Sequence, residues 1–330
     1  MLIESLRGGT VESRHRVSAA VVDRAGRLLA SAGDSRLVTF MRSSAKPFQA
    51  LPLVQDGVVE RFAITPEELA LACASHNSER RHVEVARGWL ERIGCAESDL
   101  ACGPHEPLVP EYAIPNDSPG RTPDLAPPSP LASNCSGKHT GMLALARHHG
   151  WPTAGYHLSG HPVQQRVKRE LARWSGIAEG DLAEGIDGCD VVTFALPLDA
   201  IATAFARLVT SDDPAARMVV GVMCTHPFMV AGTGRLCTAL MDAYAGAVVA
   251  KMGAAGLYGA ALVNRGLGIA LKVEDGHGRS AMVALLAVLE RLGLEPPPSA
   301  CLPGAMELPI TNTRNRVVGT VRAVGELAFG

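Results

Sequence analysis

The sequence predicts an α+β fold within the broad α/β class, in which both chain ends supply one antiparallel sheet and the middle is helical. Three observations carry this. Strand patterns fill residues 1–40, helix signals dominate from Ser43 to Tyr244, and strand patterns return at Gly268–Val273 and Val317–Val324. Distant segments of the same character are expected to complete one sheet, with the helices packed against one side. The whole chain, 1–330, reads as one domain, strand-rich over 1–40 and 255–330 and helix-rich over 41–254.

Val17–Val22 and Arg27–Ala32 flank the tight-turn signal Asp23-Arg24-Ala25-Gly26 and so read as a hairpin. A helix begins near Ser43 or Ser44. Pro47 fits its first turn, where the missing N–H is not needed. Thr65-Pro66-Glu67-Glu68 is a helix start, with threonine as cap and Glu68 closing a capping box. That helix ends near Ala74, Ser75-His76-Asn77 fall in a turn, and the next helix runs from after Ser78 to Gly94. Nine prolines between Pro104 and Pro130 predict an irregular, surface-hugging excursion. Further helices are expected at Lys138–His149, Val163–Trp174, Leu198–Leu208, Pro214–Met223, Leu236–Tyr244 and Ser280–Leu292. No repeat at solenoid periods is present.

The composition, 47% hydrophobic and 19% charged, is that of a compact globular protein. A net charge of -2, without a basic stripe among aromatics, gives no reason to expect nucleic acid as a partner. Met1–Arg7 lacks the basic start and apolar stretch of a secretory signal. The longest apolar runs, Met218–Cys224 and Ala281–Leu289, fall short of the ~20 residues that span a bilayer. The expectation is a soluble, cytoplasmic protein with no membrane partner. Its eight cysteines would be free thiols or ligands rather than disulfides.

Chemistry concentrates in five places. Ser43-Ser44-Ala45-Lys46 puts a hydroxyl and an amine on one helical face, and lysine is a base for serine once burial or a nearby cation lowers its pKa. Ser75-His76-Asn77 offers a hydroxyl and an amide from a turn, although serine and asparagine are ordinary turn residues. Lys272 closes an apolar strand, where snorkelling to solvent is its commonest use. Together, in the order S-x-x-K, S-x-N, strand lysine, these match the element order of class A β-lactamases and penicillin-binding proteins, without their K-T-G at Lys272. Asn134-Cys135-Ser136-Gly137-Lys138-His139 is a polar turn at a helix start, suited to a substrate carboxylate. It is not a phosphate loop, because position 132 is Ala, so no nucleotide or organic cofactor is expected. Asp187-Gly188-Cys189 adds an acid and a thiol, and without C-x-x-C spacing the residues alone leave zinc open beside a buried small hydrophobe.

With these residues in hand, the chain resembles the L-asparaginase II family, the Rhizobium etli-type asparaginases. Residues 7–15, 42–50, 75–77, 102–105, 134–139, 187–189 and 268–272 carry the resemblance, most specifically Arg42–Gln49 and Asn134–His139. The resemblance implies a serine β-lactamase-like fold, hydrolysis of L-asparagine to L-aspartate and ammonia, and a homodimer. It implies two serine–lysine tandems, placed on Ser43 with Lys46 and on Ser75 with Lys272. It also implies zinc held by Cys135, Lys138 and Cys189, which requires a neutral lysine. Asp190-Val191-Val192 departs from the glycine and proline expected after that cysteine.

The mechanism expected is acyl transfer to Ser43, deprotonated by Lys46, with Ser75 as the other candidate nucleophile. Asn77 is expected to bind the oxyanion, Arg42 or His139 the substrate carboxylate, and Asp187 its ammonium. A β-lactamase-like esterase or glutaminase using the same residues, and a non-catalytic metal- or amino-acid-binding protein, are the alternatives.

Overall fold

The computed structural model describes residues 1–108, 124–294, 307–314 and 316–330. Twelve strands and eleven α-helices occur in these residues. β1 (Leu2–Arg7), β2 (Thr10–Val22), β3 (Leu28–Ala32) and β4 (Val38–Phe40) open the chain. The helices α1 (Lys46–Gln55), α2 (Val58–Phe62), α3 (Pro66–Ala72), α4 (Arg80–Arg92), α5 (Ser136–His149) and α6 (Pro162–Ser175) follow. Next come β5 (Ala183–Ile186), β6 (Val192–Pro197), α7 (Leu198–Thr210), α8 (Pro214–Thr225), α9 (Pro227–Val230) and α10 (Leu236–Ala243). The chain closes with β7 (Val248–Gly253), β8 (Leu257–Leu262), β9 (Leu267–Val273), α11 (Gly278–Arg291), β10 (Glu307–Thr311), β11 (Val317–Val324) and β12 (Ala328–Phe329).

The expected sheet from both chain ends is present. Its order is β10-β11-β1-β2-β9-β8-β7, with β3 paired to β2 and β12 to β3, and every pairing is antiparallel. The β2–β3 turn closes as its residues dictate: Asp23 Oδ1 accepts the N–H of Ala25 and Arg27, and Gly26 takes φ +82°. Helix α7 lies directly on the sheet, because Gly268 presents no side chain where a Cβ would meet the Ala202 carbonyl oxygen at 1.9 Å.

The helix starts fall where the caps place them. Thr65 Oγ1 accepts from Glu68 N and Glu68 reaches back to Thr65 N, and Pro47 sits in the first turn of α1. Two differences from the expected layout matter. A small sheet, β4-β6-β5, interrupts the helical middle, and β7 begins at Val248, inside the span read as helix-rich up to 254. β7 and β8 are buried at every position, so they carry no alternating pattern. Much of the proline-rich excursion lies outside the described residues. Among the described residues no helix is long and apolar enough to cross a membrane, and the described cysteines are free.

Candidate active site

Ser75 follows the C-terminal end of α3 on a stretch without regular secondary structure, pinned by its N–H to the Val230 carbonyl oxygen at 3.0 Å. Two lysines converge on it. Lys46, at the start of α1, donates to Ser75 Oγ at 3.1 Å, the Ala74 carbonyl oxygen at 2.5 Å and Cys135 Sγ at 3.1 Å. Lys251, in mid-β7, reaches Ser75 Oγ at 2.9 Å from the other side and also meets the Met252 carbonyl oxygen at 3.1 Å. Both lysines and Ser75 are only 1% exposed. Burial lowers the Lys251 pKa, and the charges of Lys46 and Arg235 lower it further, to about 7. A lysine with that pKa is a working base at neutral pH.

Lys272 is not at this site. Its amine donates to the carbonyl oxygens of Ala255 and Val273, each at 2.6 Å. The register aligns Lys251 with Gly259 and Gly259 with Ala270, so Lys272 is two strands away and two residues further along. Two strand spacings alone separate the backbones by about 10 Å. The assignment of Ser75 to Lys272 is therefore corrected to Lys251. One signal could have found it: Lys251-Met252-Gly253 differs from K-T-G only at its middle residue. The pairing of Lys46 also differs from expectation, since its amine is directed to Ser75 and Cys135 rather than to Ser43.

Ser43 lies on the 3-10 turn Arg42–Ala45 and, partly exposed, lines a pocket with Ser75, Asn134, Cys135 and Cys189. Arg42 (φ +48°) also lines it, with Nε donating to Asp187 Oδ1 at 2.6 Å. Burial opposes ionisation of Asp187, but the Lys138 and Arg42 charges and the Gly188 N–H outweigh it and hold its pKa below the usual value. A guanidinium and a carboxylate thus share one wall, the complement of an α-amino acid's two charged ends.

Two expected binding residues are placed behind this wall. His139 is fully buried, with Nδ1 sharing a 2.5 Å hydrogen bond with Tyr156 Oη. Asn77 is likewise buried, its amide donating to the Thr233 carbonyl oxygen and accepting from Arg235 Nη1. Neither lines the pocket, where Gly103, Pro104, His105 and Leu108 form a wall that the sequence reading did not assign to the site. Residues 102–105 do carry part of the family resemblance, a signal that could have placed this wall.

Cys135, Lys138 and Cys189 do come together. Lys138 Nζ lies 2.8 Å from Cys189 Sγ, and Cys135, whose thiol donates to Asn134 Oδ1 at 3.1 Å, neighbours Cys189. The neighbouring Cys135 thiol, helped by the Lys138 charge against the cost of burial, lowers the Cys189 pKa to about 5. The adjacent Cys189 sulfur and burial push Cys135 to about 12. Burial opposes a charged Lys138, but the two sulfurs and Asp187 outweigh it and raise its pKa. Gly137 makes the convergence possible: a Cβ there would lie 2.2 Å from the Leu71 carbonyl oxygen, so only glycine lets α5 start against α3. Two thiols and an amine form a donor set that suits zinc once the lysine loses its proton. No group of three or more His, Cys, Asp or Glu able to hold a metal occurs among the described residues. Asp190 (φ +69°) turns outward, its carboxylate 3.5 Å from His157 Nε2 and 62% exposed.

The family model of L-asparaginase II matches residues 3–323 of this chain. The chain belongs to the L-asparaginase II family. Membership makes it a hydrolase of the asparaginase kind acting on a small-molecule substrate. No curated protein sequence matches it. Among solved structures, it is similar to Mglu in its native form, at 16% identity and a TM-score of 0.47, over 88% of this chain and 68% of that one. It is also similar to a β-lactamase from Mycobacterium bovis, at 15% identity and a TM-score of 0.42, over 83% of this chain and 94% of the other. A further likeness, to Mglu in its tris and glutamate form, has 18% identity and a TM-score of 0.39, over 88% of this chain and 62% of that one.

Proposed function

We propose that this member of the L-asparaginase II family hydrolyses L-asparagine to L-aspartate and ammonia by serine–lysine acyl transfer. The observation that carries the reading is the clamping of Ser75 Oγ between Lys46 and Lys251, at 3.1 and 2.9 Å, on the floor of a pocket shared with Ser43. A buried hydroxyl between two amines is a proton conduit, and one of those amines is near neutrality at pH 7.

Ser43, the more accessible serine, attacks the side-chain amide carbon of asparagine. Its proton enters the Lys46–Ser75–Lys251 network, which then protonates the departing ammonia. Water hydrolyses the aspartyl ester and Ser43 regains its proton. Catalytic hydrogen bonds are often long before substrate binds, so the Ser43 contact with this network forms in the complex. The free N–H groups of Arg42 take the substrate carboxylate and the second Asp187 oxygen takes its ammonium. Zinc on Cys135, Lys138 and Cys189 belongs to the same proposal, and when bound it supplies a fixed positive charge at the pocket wall. A homodimer is the proposed assembly.

Ammonia release from asparagine, measured with zinc supplied and across pH, tests the reaction, and no release under any condition sinks it. Glutamine and nitrocefin run alongside separate the glutaminase and esterase readings. The two lysines on Ser75 argue against a non-catalytic binding protein, which has no use for an activated hydroxyl. Elemental analysis of the purified wild type and Cys189→Ser tests the metal: equal zinc in both removes it from these residues.

A further inference from the structure

Arg235 stands immediately before α10, with its side chain 1% exposed. Nη1 donates to Asn77 Oδ1 at 2.8 Å and to the Ser75 carbonyl oxygen at 3.3 Å, while Nη2 contacts Met252 Sδ. One guanidinium therefore touches Ser75 itself and the residue after Lys251. It ties the Ser75 backbone to the Met252 thioether on β7, next to the lysine that meets Ser75 Oγ, and it does not line the pocket.

The surroundings reinforce this bridge. Asn77 Nδ2 donates to the Thr233 carbonyl oxygen at 2.8 Å and to Glu79 Oε1 at 3.3 Å. Glu79 accepts in turn from Thr233 N at 2.7 Å and Thr233 Oγ1 at 2.9 Å. Gly232, at φ +105°, is pressed so close that a Cβ would lie 2.6 Å from Glu79 Oε1 and 2.7 Å from Asn77 Nδ2. The loop carrying Arg235 is thus locked to the Ser75–Glu79 segment.

We propose that Arg235 is a positioning residue of the reaction, holding the irregular Ser75–Asn77 segment and strand β7 at the separation that keeps Ser75 Oγ against Lys251 Nζ. The inference rests on the serine–lysine reading above. Its charge has a second effect. The groups facing Lys251 are Lys46 of α1, Arg235, Cys237 of α10, Cys135 ahead of α5 and Cys73 at the end of α3. Burial pushes the Cys73 and Cys237 thiols above their ordinary pKa, so these two stay neutral. Lys46 and Arg235 are then the cations that, after burial itself, disfavour a protonated Lys251.

The test uses full-length Arg235→Met and Arg235→Lys. The chain has five lysines, so 13C-labelled lysine gives a simple NMR spectrum in which Lys251 is assigned with Lys251→Gln. In Arg235→Met the Lys251 titration midpoint rises by about one pH unit. Its kcat falls about 10²-fold, KM changes little, and the acid limb of kcat follows the midpoint. Arg235→Lys keeps the midpoint but loses kcat, because a single ammonium cannot reach Ser75, Asn77 and Met252 together as the guanidinium fork does. A folded Arg235→Met with unmoved midpoint and kcat overturns the proposal. If that variant does not fold, wild-type kcat in Arg235→Lys overturns it. The NMR midpoint needs no turnover, so a chain inactive on asparagine sinks the acyl-transfer reading while Arg235 is still tested.

Discussion

Lys251 Nζ lies 2.9 Å from Ser75 Oγ although 176 residues separate the two in sequence. The contact joins an irregular loop after α3 to a strand near the other end of the chain. The acyl-transfer mechanism proposed for this pair carries a defined pH dependence. Lys251 accepts a proton only when neutral, and its pKa is lowered to about 7. The rate of ammonia release from asparagine should therefore rise with pH through about 7 and level off above it. A pH–rate profile that is flat between 5 and 9 would falsify Lys251 as the base.

The same group costs stability. Its folded-state pKa of about 7 lies below the unfolded value, ~10.4. Between these values the unfolded chain binds more protons, so stability rises with pH across that window and the full penalty remains below it. Lys251→Met removes the penalty. We expect it to lose about 10²–10⁴ in kcat while melting at a higher temperature than wild type at pH 6, with a smaller gain at pH 10. Calorimetry at both pH values reads the difference, and equal shifts would contradict it.

Ser43→Ala and Ser75→Ala should each lower kcat by about 10³-fold or more, because residues acting as a unit fail together. Mass spectrometry of the protein quenched during turnover separates their roles. An aspartyl adduct on the peptide containing Ser43 is the expected result. An adduct at Ser75 would exchange the two assignments.

Lys272→Ala should leave kcat within about twofold of wild type and cost at most about 1 kcal/mol, as do most changes outside a buried network. Among the described residues its amine hydrogen-bonds the carbonyl oxygens of Ala255 and Val273. Steady-state kinetics and a urea melt check both halves, and a large fall in kcat would return Lys272 to the site.

Gly137→Ala should be among the most damaging single-methyl additions. A Cβ would approach the Leu71 carbonyl oxygen to 2.2 Å and force α5 away from α3, carrying Lys138 and Cys135 with it. A loss of about 1–3 kcal/mol in chemical denaturation is expected, together with weaker zinc retention. Unchanged stability would show that the helices separate without cost.

By itself the sequence determined what local chemistry decides. The Asp23–Gly26 turn, the Thr65–Glu68 capping box and Pro47 in a first turn depend on residues within one helical turn of each other, and each lies where expected. The pocket's Ser43, Ser75, Arg42 and Asp187 were visible because reactive side chains stand out among apolar ones, whereas the grouping of Cys135, Lys138 and Cys189 came from the resemblance to the L-asparaginase II family. Tertiary structure alone decided which lysine meets Ser75. β7 and β9 both carry one lysine in an apolar run, and only the β7-β8-β9 register places Lys251 beside Ser75 and Lys272 beyond reach. It also decided that Asn77 and His139 are buried behind the wall, and that Lys46 turns to Ser75. Hydrogen-bonding capacity is a property of a residue, whereas the partner that uses it is set by packing between segments far apart in the chain.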